Sequence, residues 1–225
     1  MTAMPCYNTF PYSSVTVHRL AVGPLQANCY LIQRGGECIV IDPGGDPEVI
    51  AQTARAIGAV IKVIAVTHAH FDHIAAVDDL RAQSGAPVFV PRGAAVHYAR
   101  AAEEAKTFGL TLAPLGAPDG WLDPGPWEAA GITLDVLPTP GHAPGHVAFL
   151  HADGFVITGD ALFRGSIGRV DLPGGDAPTL EASIREHLLT LPWETAAFPG
   201  HGPETTIGRE AQDNPFLNGE APFPP

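Results

Sequence analysis

Thr67-His68-Ala69-His70-Phe71-Asp72-His73 sets three imidazoles and one carboxylate within six consecutive residues, 68–73. Before it runs Val60-Ile61-Lys62-Val63-Ile64-Ala65-Val66, apolar and β-branched, which reads as a buried strand. Residues 74–84 read as a helix closed by Gly85. The cluster is therefore expected on a turn at the carboxyl end of a strand, where open α/β sheets place their chemistry. Neutral imidazole nitrogen and carboxylate oxygen are ligands for zinc and other first-row metals. His68 and His70 alternate and can aim at one ion. Asp72 and His73 follow and can aim at a second close by. The bland alternative is a polar turn with surface histidines.

Three further strand exits argue against that alternative. Pro140-Gly141-His142-Ala143-Pro144-Gly145-His146 follows the strand-like stretch 132–137. Phe155-Val156-Ile157-Thr158-Gly159-Asp160 is an apolar run ending on Asp160, and Phe198-Pro199-Gly200-His201-Gly202 again joins a strand, a glycine turn and a histidine. A lone Gly-His or Gly-Asp turn is usually a cap. Four strand exits that each deliver metal-type side chains are a much stronger signal. His18, His97, His151 and His187 have no such frame and read as surface or packing residues.

Outward from these points the chain alternates. Residues 1–14 show little periodicity and are expected to be an extended arm. Strands are expected at 15–22, 28–33 and 37–41, the last two a hairpin around Arg34-Gly35-Gly36. A helix is expected at 47–57, capped by Asp46 and ended by Gly58. A short strand at 87–90 and an Ala-rich helix at 93–105 precede a Gly/Pro-rich loop with weak strand character, 106–126. Beyond 132–137 come a hairpin of 147–150 and 155–158, a helix at 180–189 and a strand at 195–198. The Pro-rich end from Asn214 is expected to lie extended on the surface or to be loose. No linker divides the halves. One domain, 15–217, is expected, flanked by the arm 1–14 and a tail 218–225: an α/β (α+β) fold of two sheets sandwiched by outer helices.

Composition narrows the function. Net charge is −12, and the 12 lysines and arginines form no cluster, which excludes a basic nucleic-acid-binding face. No apolar run reaches 18 residues, so no membrane span is expected. The N-terminus has neither the basic start nor the apolar core of a signal peptide, and no arginine precedes Arg19. Cys6, Cys29 and Cys38 are odd in number and lack CxxC spacing, which favours a reducing compartment; a cytoplasmic protein is expected.

THAHFDH matches the HxHxDH motif of the metallo-β-lactamase-fold hydrolases, and His142, Asp160 and His201 match the remaining ligand positions of that superfamily. The resemblance covers about 15–217 and implies a four-layer αββα sandwich with a metal pair between the sheet edges. It implies that His68, His70 and His142 bind one ion, that Asp72, His73 and His201 bind the other, and that Asp160 bridges them. Two divalent ions per chain are expected, zinc first, with iron or manganese also suited to His/Asp donors. Within the superfamily, GDALFRGSIGRVDLPGGD (159–176), PGHGPETTIGRE (199–210) and NPFL (214–217) resemble the short bacterial members of the glyoxalase II (hydroxyacylglutathione hydrolase) group. Larger members carry a C-terminal helical extension that grips glutathione. The implied reaction is attack of a metal-bridging hydroxide on a thioester carbonyl, with a glutathione-linked thioester such as S-lactoylglutathione as substrate and Asp72 orienting the nucleophile or taking its proton.

Around this set, Asp42 is the candidate to accept a ring N–H, against a plain Asp-Pro-Gly turn. His146 either hydrogen-bonds within the site or braces its turn. Arg169, and after it Arg164, are candidates to receive a substrate carboxylate, against a salt bridge to Asp171 or Asp176. Alternative readings are a persulfide dioxygenase with a single iron held by two His and one Asp, a lactonase or β-lactamase, and a non-catalytic binding protein. The dioxygenases usually lack a histidine at the position of His146.

Overall fold

The computed structural model describes residues 6–223; residues 1–5 of the expected arm and 224–225 of the expected tail lie outside them. The first half of the chain builds a seven-stranded sheet in sequence order. Its strands are β1 (Asn8–Pro11), β2 (Thr16–Val22), β3 (Ala27–Arg34), β4 (Glu37–Ile41), β5 (Val60–Ala65), β6 (Val88–Pro91) and β7 (Gly120–Leu122). β1 to β4 pair antiparallel through short turns. β4 to β7 pair parallel, because helices carry the chain back each time. These helices are α1 (Pro47–Ala56), the short α2 (Phe71–Ile74), α3 (Val77–Ser84) and α4 (Ala95–Thr107).

The second half contributes β8 (Gly125–Ala129), β9 (Ile132–Pro138), β10 (Val147–His151), β11 (Phe155–Gly159), a small hairpin of β12 (Leu162–Phe163) and β13 (Ser166–Ile167), and then β14 (Ala196–Pro199) and β15 (Thr205–Thr206). The second sheet has the order β15-β14-β11-β10-β9-β8. α5 (Ala177–Ser183), its π-helical continuation Ile184–Leu188, and α6 (Ile207–Asp213) belong to this half.

The period-two alternation of the strands makes the four layers. Tyr30, Ile32, Ile39 and Ile41 point between the sheets, where they join Phe149, Phe155, Ile157 and Phe198. Their neighbours Cys29, Leu31, Cys38 and Val40 point the other way, onto Ile50 of α1 and Leu80 of α3. In the second sheet Ala148, Val156 and Ala197 face Leu180, Ile184 and Ile207. A slip of one residue would send each set to the wrong core, so the register is strongly specified. Each fully buried Phe or Ile is worth roughly 1.5–3 kcal/mol over exposure. The result is the expected αββα sandwich.

Several local expectations change. Part of the expected arm, Asn8–Pro11, pairs with β2 as an edge strand. Asp46 occupies the N-cap position of α1 as expected, but its side chain makes no cap bond: it sits at φ +49 and its carboxylate accepts the Gly23 N–H instead, at 2.8 Å. The helix expected over 74–84 is broken, because the Ala76 N–H is drawn 3.0 Å onto the Pro43 carbonyl. Asp72 and His73 thus lie on a separate helical turn rather than a plain loop. The helix expected at 180–189 begins at Ala177, where the Asp176 carboxylate accepts the Thr179 N–H. The weak strand character expected within 106–126 is borne out by β7 and the start of β8, whereas the chain before Asn214 holds the unanticipated α6. All three thiols are free; Cys29 and Cys38 are buried, and burial pushes the Cys38 thiol up to about 12. Among the described residues no helix is long and apolar enough to cross a membrane.

Candidate metal centre

Strand β5 ends at Ala65, and its chain continues through Thr67 into the histidine cluster beside Asp42, at the exit of β4. Asp42 is fully buried, at φ +55, and both its oxygens are spent on hydrogen bonds. Oδ1 accepts the Thr67 N–H at 2.6 Å. Oδ2 accepts the Thr67 hydroxyl at 2.7 Å and the His73 Nδ1–H at 3.0 Å. The single Thr67 hydroxyl proton is then committed, so its oxygen accepts from His68 Nδ1–H at 2.9 Å. His142 Nδ1–H donates to the Arg169 carbonyl at 2.8 Å. Ring tautomers follow from these partners, and in its neutral form each of the three rings turns an unprotonated Nε2 inward.

Those three Nε2 atoms and Asp160 Oδ1 are buried without any hydrogen-bond partner. A stranded buried polar atom costs about 1–3 kcal/mol. Four of them in one place fit a site built for a cation.

The donors fall into two triads. One ligand atom each from His68, His70 and His142 lies within 4.8 Å of the others, and the same holds for Asp72, His73 and His201. Asp42, His68 and His73 also meet that distance, but the oxygens of Asp42 are already occupied. Asp160 stands between the triads. Its Oδ1 is 3.4 Å from His73 Nε2, and its Oδ2 is 3.6 Å from both His142 Nε2 and His201 Nε2. His201 Nε2 is also 3.2 Å from Asp72 Oδ2.

Electrostatics agree with the donor set. Burial, reinforced by neighbouring imidazoles, holds His68 well below the usual histidine range and His70 at about 3. Burial works against the charge on Asp160 and Asp72 too, yet the adjacent His73 holds both carboxyls below their usual range. Burial disfavours a proton on His73 and His201, but Asp160 and Asp72 overcome it and raise both. The carboxylates call for positive charge, while His68 and His70 cannot supply it as protons. A divalent cation satisfies both, since its ligands must be deprotonated.

The surrounding chain holds these groups in place. His146 Nε2 accepts the backbone N–H of Asp160 at 3.0 Å, while its Nδ1–H donates to the Thr139 hydroxyl at 2.8 Å. Burial keeps that ring neutral, as an acceptor must be. The turn carrying His201 is tied to β3: Asn28 Nδ2–H donates to the carbonyls of Pro199 and Gly202, and the Tyr30 hydroxyl to Pro199. Gly200 lies so close to the site that a Cβ there would stand 2.8 Å from His73 Cε1 and nearer still to Asp160 Oδ1.

Of the other anticipated residues, Asp42 and His146 are in the site as hydrogen-bond partners. Arg169 lines the adjoining cavity, but its guanidinium forks onto Asp171 at 2.7 and 2.6 Å, and it is the Arg169 carbonyl that serves His142. Arg164 is exposed and does not line the cavity; the structure does not bring it to the centre. Thr67, Thr139 and the Arg169 carbonyl were not anticipated. Thr67 carried a usable signal, a hydroxyl directly before the first ligand histidine; a backbone carbonyl carries none.

Beside the centre opens a cavity of about 540 Å³. Asp72, Asp160, His70, His142 and His201 form its polar floor, and its walls are largely apolar.

Residues 22–201 match the family model described as the metallo-beta-lactamase superfamily. The chain is 42% identical over 209 residues to a probable metallo-hydrolase, YqgX, of Bacillus subtilis, covering 89% of this chain and 97% of that one. It is 35% identical over 212 residues to the hydroxyacylglutathione hydrolase GloC of Haemophilus influenzae, covering 92% and 100% respectively. Among solved structures, TTHA1623 in a di-iron-bound form superposes with a TM-score of 0.83 at 44% identity, covering 88% of this chain and 99% of that one.

Proposed function

The chain belongs to the metallo-beta-lactamase superfamily, and from that premise we propose that it is a metal-dependent hydrolase that cleaves thioesters of the hydroxyacylglutathione (S-lactoylglutathione) type. One observation carries the reading: two complete donor triads face a shared carboxylate, and the buried Nε2 atoms of His68, His73 and His142 have no hydrogen-bond partner. His68, His70 and His142 would hold one divalent ion, and Asp72, His73 and His201 the other, with Asp160 common to both. Ions of this class, when bound, polarise a carbonyl oxygen and lower the pKa of a coordinated water from 15.7 to about 7. Zinc suits the donors; the di-iron form of a similar structure makes iron an equal candidate.

The chain's own contribution is orientation and proton handling. Asp42, Thr67 and the Arg169 carbonyl each occupy an Nδ1–H, so the neutral rings of His73, His68 and His142 present an unprotonated Nε2 aimed inward. His146 fixes Asp160 through its backbone. Asp72 lines the cavity beside the reacting face and can take the proton of the attacking water. The likeness to GloC supports glutathione-linked hydroxyacyl thioesters as substrates.

The test is a hydrolysis panel of thioesters, lactones and β-lactams, with metal quantified in the same sample. Thioester cleavage that disappears with a chelator and returns at two ions per chain is expected. A single iron, with oxygen consumed alongside glutathione persulfide, would replace this reading with the dioxygenase one. Turnover of lactones or β-lactams alone would replace the substrate class.

A further inference from the structure

The cavity beside the metal centre separates charge from apolar surface. Its charged groups outside the two triads and Asp160 are Glu104 and Arg169. Arg169 is already forked onto Asp171, while Glu104 Oε1 lies 3.2 Å from His97 Nδ1 without forming a hydrogen bond. The Thr107 hydroxyl, also on the wall, turns back to the Glu104 carbonyl at 2.7 Å. The rest of the wall is mostly apolar and includes Leu25, Phe71, Phe108, Phe163, Ile167 and Leu172.

Two of these residues are held open to solvent at a cost. Leu25 and Phe108 are 50% and 47% exposed, although both line the cavity. Leu25 sits on the turn between β2 and β3, and Phe108 follows the last turn of α4. They come from distant parts of the chain, yet both border the mouth of this one cavity. Phe108 also packs against Phe71 of α2, with ring centroids 5.2 Å apart and the planes tilted by 44°. An exposed apolar rim around a concave site marks a surface that a ligand covers.

A thioester has two arms. Glutathione, as a thiol carrier, brings carboxylates; the acyl arm need bring no charge. A chain of net charge −12 whose one cavity arginine is already engaged offers little to an anionic arm at this wall. We infer that the apolar cavity seats the acyl arm, and that the preferred substrates are thioesters of uncharged, apolar acyl groups of several carbons, with the hydroxylated lactoyl group a poorer fit and the thiol carrier outside the cavity. This rests on the thioester reading above, but not on glutathione as the carrier.

The experiment uses the metal-loaded full chain and glutathione thioesters of lactate, acetate, butyrate and hexanoate, with the hexanoyl thioester of N-acetylcysteamine as a carrier without charge. kcat/KM is expected to rise about two- to fourfold per added methylene from acetyl to hexanoyl, and the hexanoyl ester to exceed the lactoyl ester at least tenfold. Changing the carrier should alter the hexanoyl rate less than changing the acyl group does. Leu25→Ala combined with Phe108→Ala truncates exposed side chains, so the fold should survive, and it should flatten the hexanoyl-to-acetyl ratio severalfold. A flat or falling series, or lactoyl as the best acyl group, overturns the inference while leaving thioester hydrolysis intact. Failure to cleave any thioester overturns the function itself, and this inference with it.

Discussion

Replacing Gly200 by alanine tests the metal centre through one methyl group. The φ of Gly200 lies outside the left-handed region, so its backbone accepts alanine without strain. The damage is purely steric. An added Cβ would stand 2.8 Å from His73 Cε1, where carbon–carbon contacts settle near ~3.5 Å, so His73 or the turn must retreat by about 0.7 Å. The same Cβ presses harder on Asp160 Oδ1, one of the partnerless atoms of the site. His73 cannot yield freely, because Asp42 holds its Nδ1–H; nor can Asp160, because His146 holds its backbone. A misplacement approaching 1 Å in a catalytic constellation costs on the order of 10²-fold in rate, and overpacking a tight site costs about 1–3 kcal/mol of stability. The assay pairs kcat/KM with ions bound per chain, and Gly202→Ala serves as control. Gly202 has φ +74 and nothing within 4 Å, so alanine there strains the backbone without entering the site. Gly200→Ala should lose about 10²-fold in kcat/KM and a large share of bound metal, while Gly202→Ala loses stability only. Full metal content and unchanged turnover in Gly200→Ala would refute the geometry assigned to Asp160 and His73.

Asp42→Ala strands three donors, the Thr67 N–H, its hydroxyl and His73 Nδ1–H. It should cost on the order of 3 kcal/mol in urea unfolding and roughly 10–100-fold in metal affinity; a stability loss with unchanged affinity would reduce Asp42 to scaffold. Arg169→Ala removes an exposed fork to Asp171 but keeps the carbonyl that serves His142, so kcat/KM should stay within about fivefold; a drop of a hundredfold would mean that the guanidinium leaves Asp171 for the substrate. Acid should weaken the chelated protein. Burial keeps His68, His70 and His146 neutral in the fold, with His70 at about 3. Below about 6.5 the unfolded chain binds the extra protons, so their stabilisation is full above about 6.5 and lost as pH falls. His73, raised by Asp160 and Asp72, is charged in both states across that window and adds no slope. The unfolding free energy should drop by about 1.4 kcal/mol per pH unit for each depressed histidine; a urea midpoint flat from pH 7 to pH 5 would show these rings protonated in the fold.

Much of the architecture could be read locally. Val60 to Val66 announces β5 because a β-branched apolar run satisfies a strand whose second half, from Val63, is buried on both faces. The hairpin of β3 and β4 follows from Gly35-Gly36 between alternating runs. Errors arose where a distant group redirects the backbone. Asp46 has the composition of a cap, but Gly23 claims its carboxylate. Residues 74–84 have the composition of one helix, but Pro43 claims the Ala76 N–H and splits it. Neither Gly23 nor Pro43 is within 20 residues of its partner, so no window of sequence contains the competition.

The centre divides in the same way. The identities and spacing of His68, His70, Asp72 and His73 were determined by sequence, because four donors on one strand exit can hardly serve anything but a cation. Which nitrogen each ring presents was decided only by tertiary structure, through Asp42, Thr67 and a carbonyl at Arg169 that share no motif. The same is true of the cavity wall, where Leu25, Phe108 and Leu172 meet although more than sixty residues separate each from the next. Donor chemistry resides in side chains and can be read in order; orientation and shape arise from contacts between segments, and those exist only once the chain has folded.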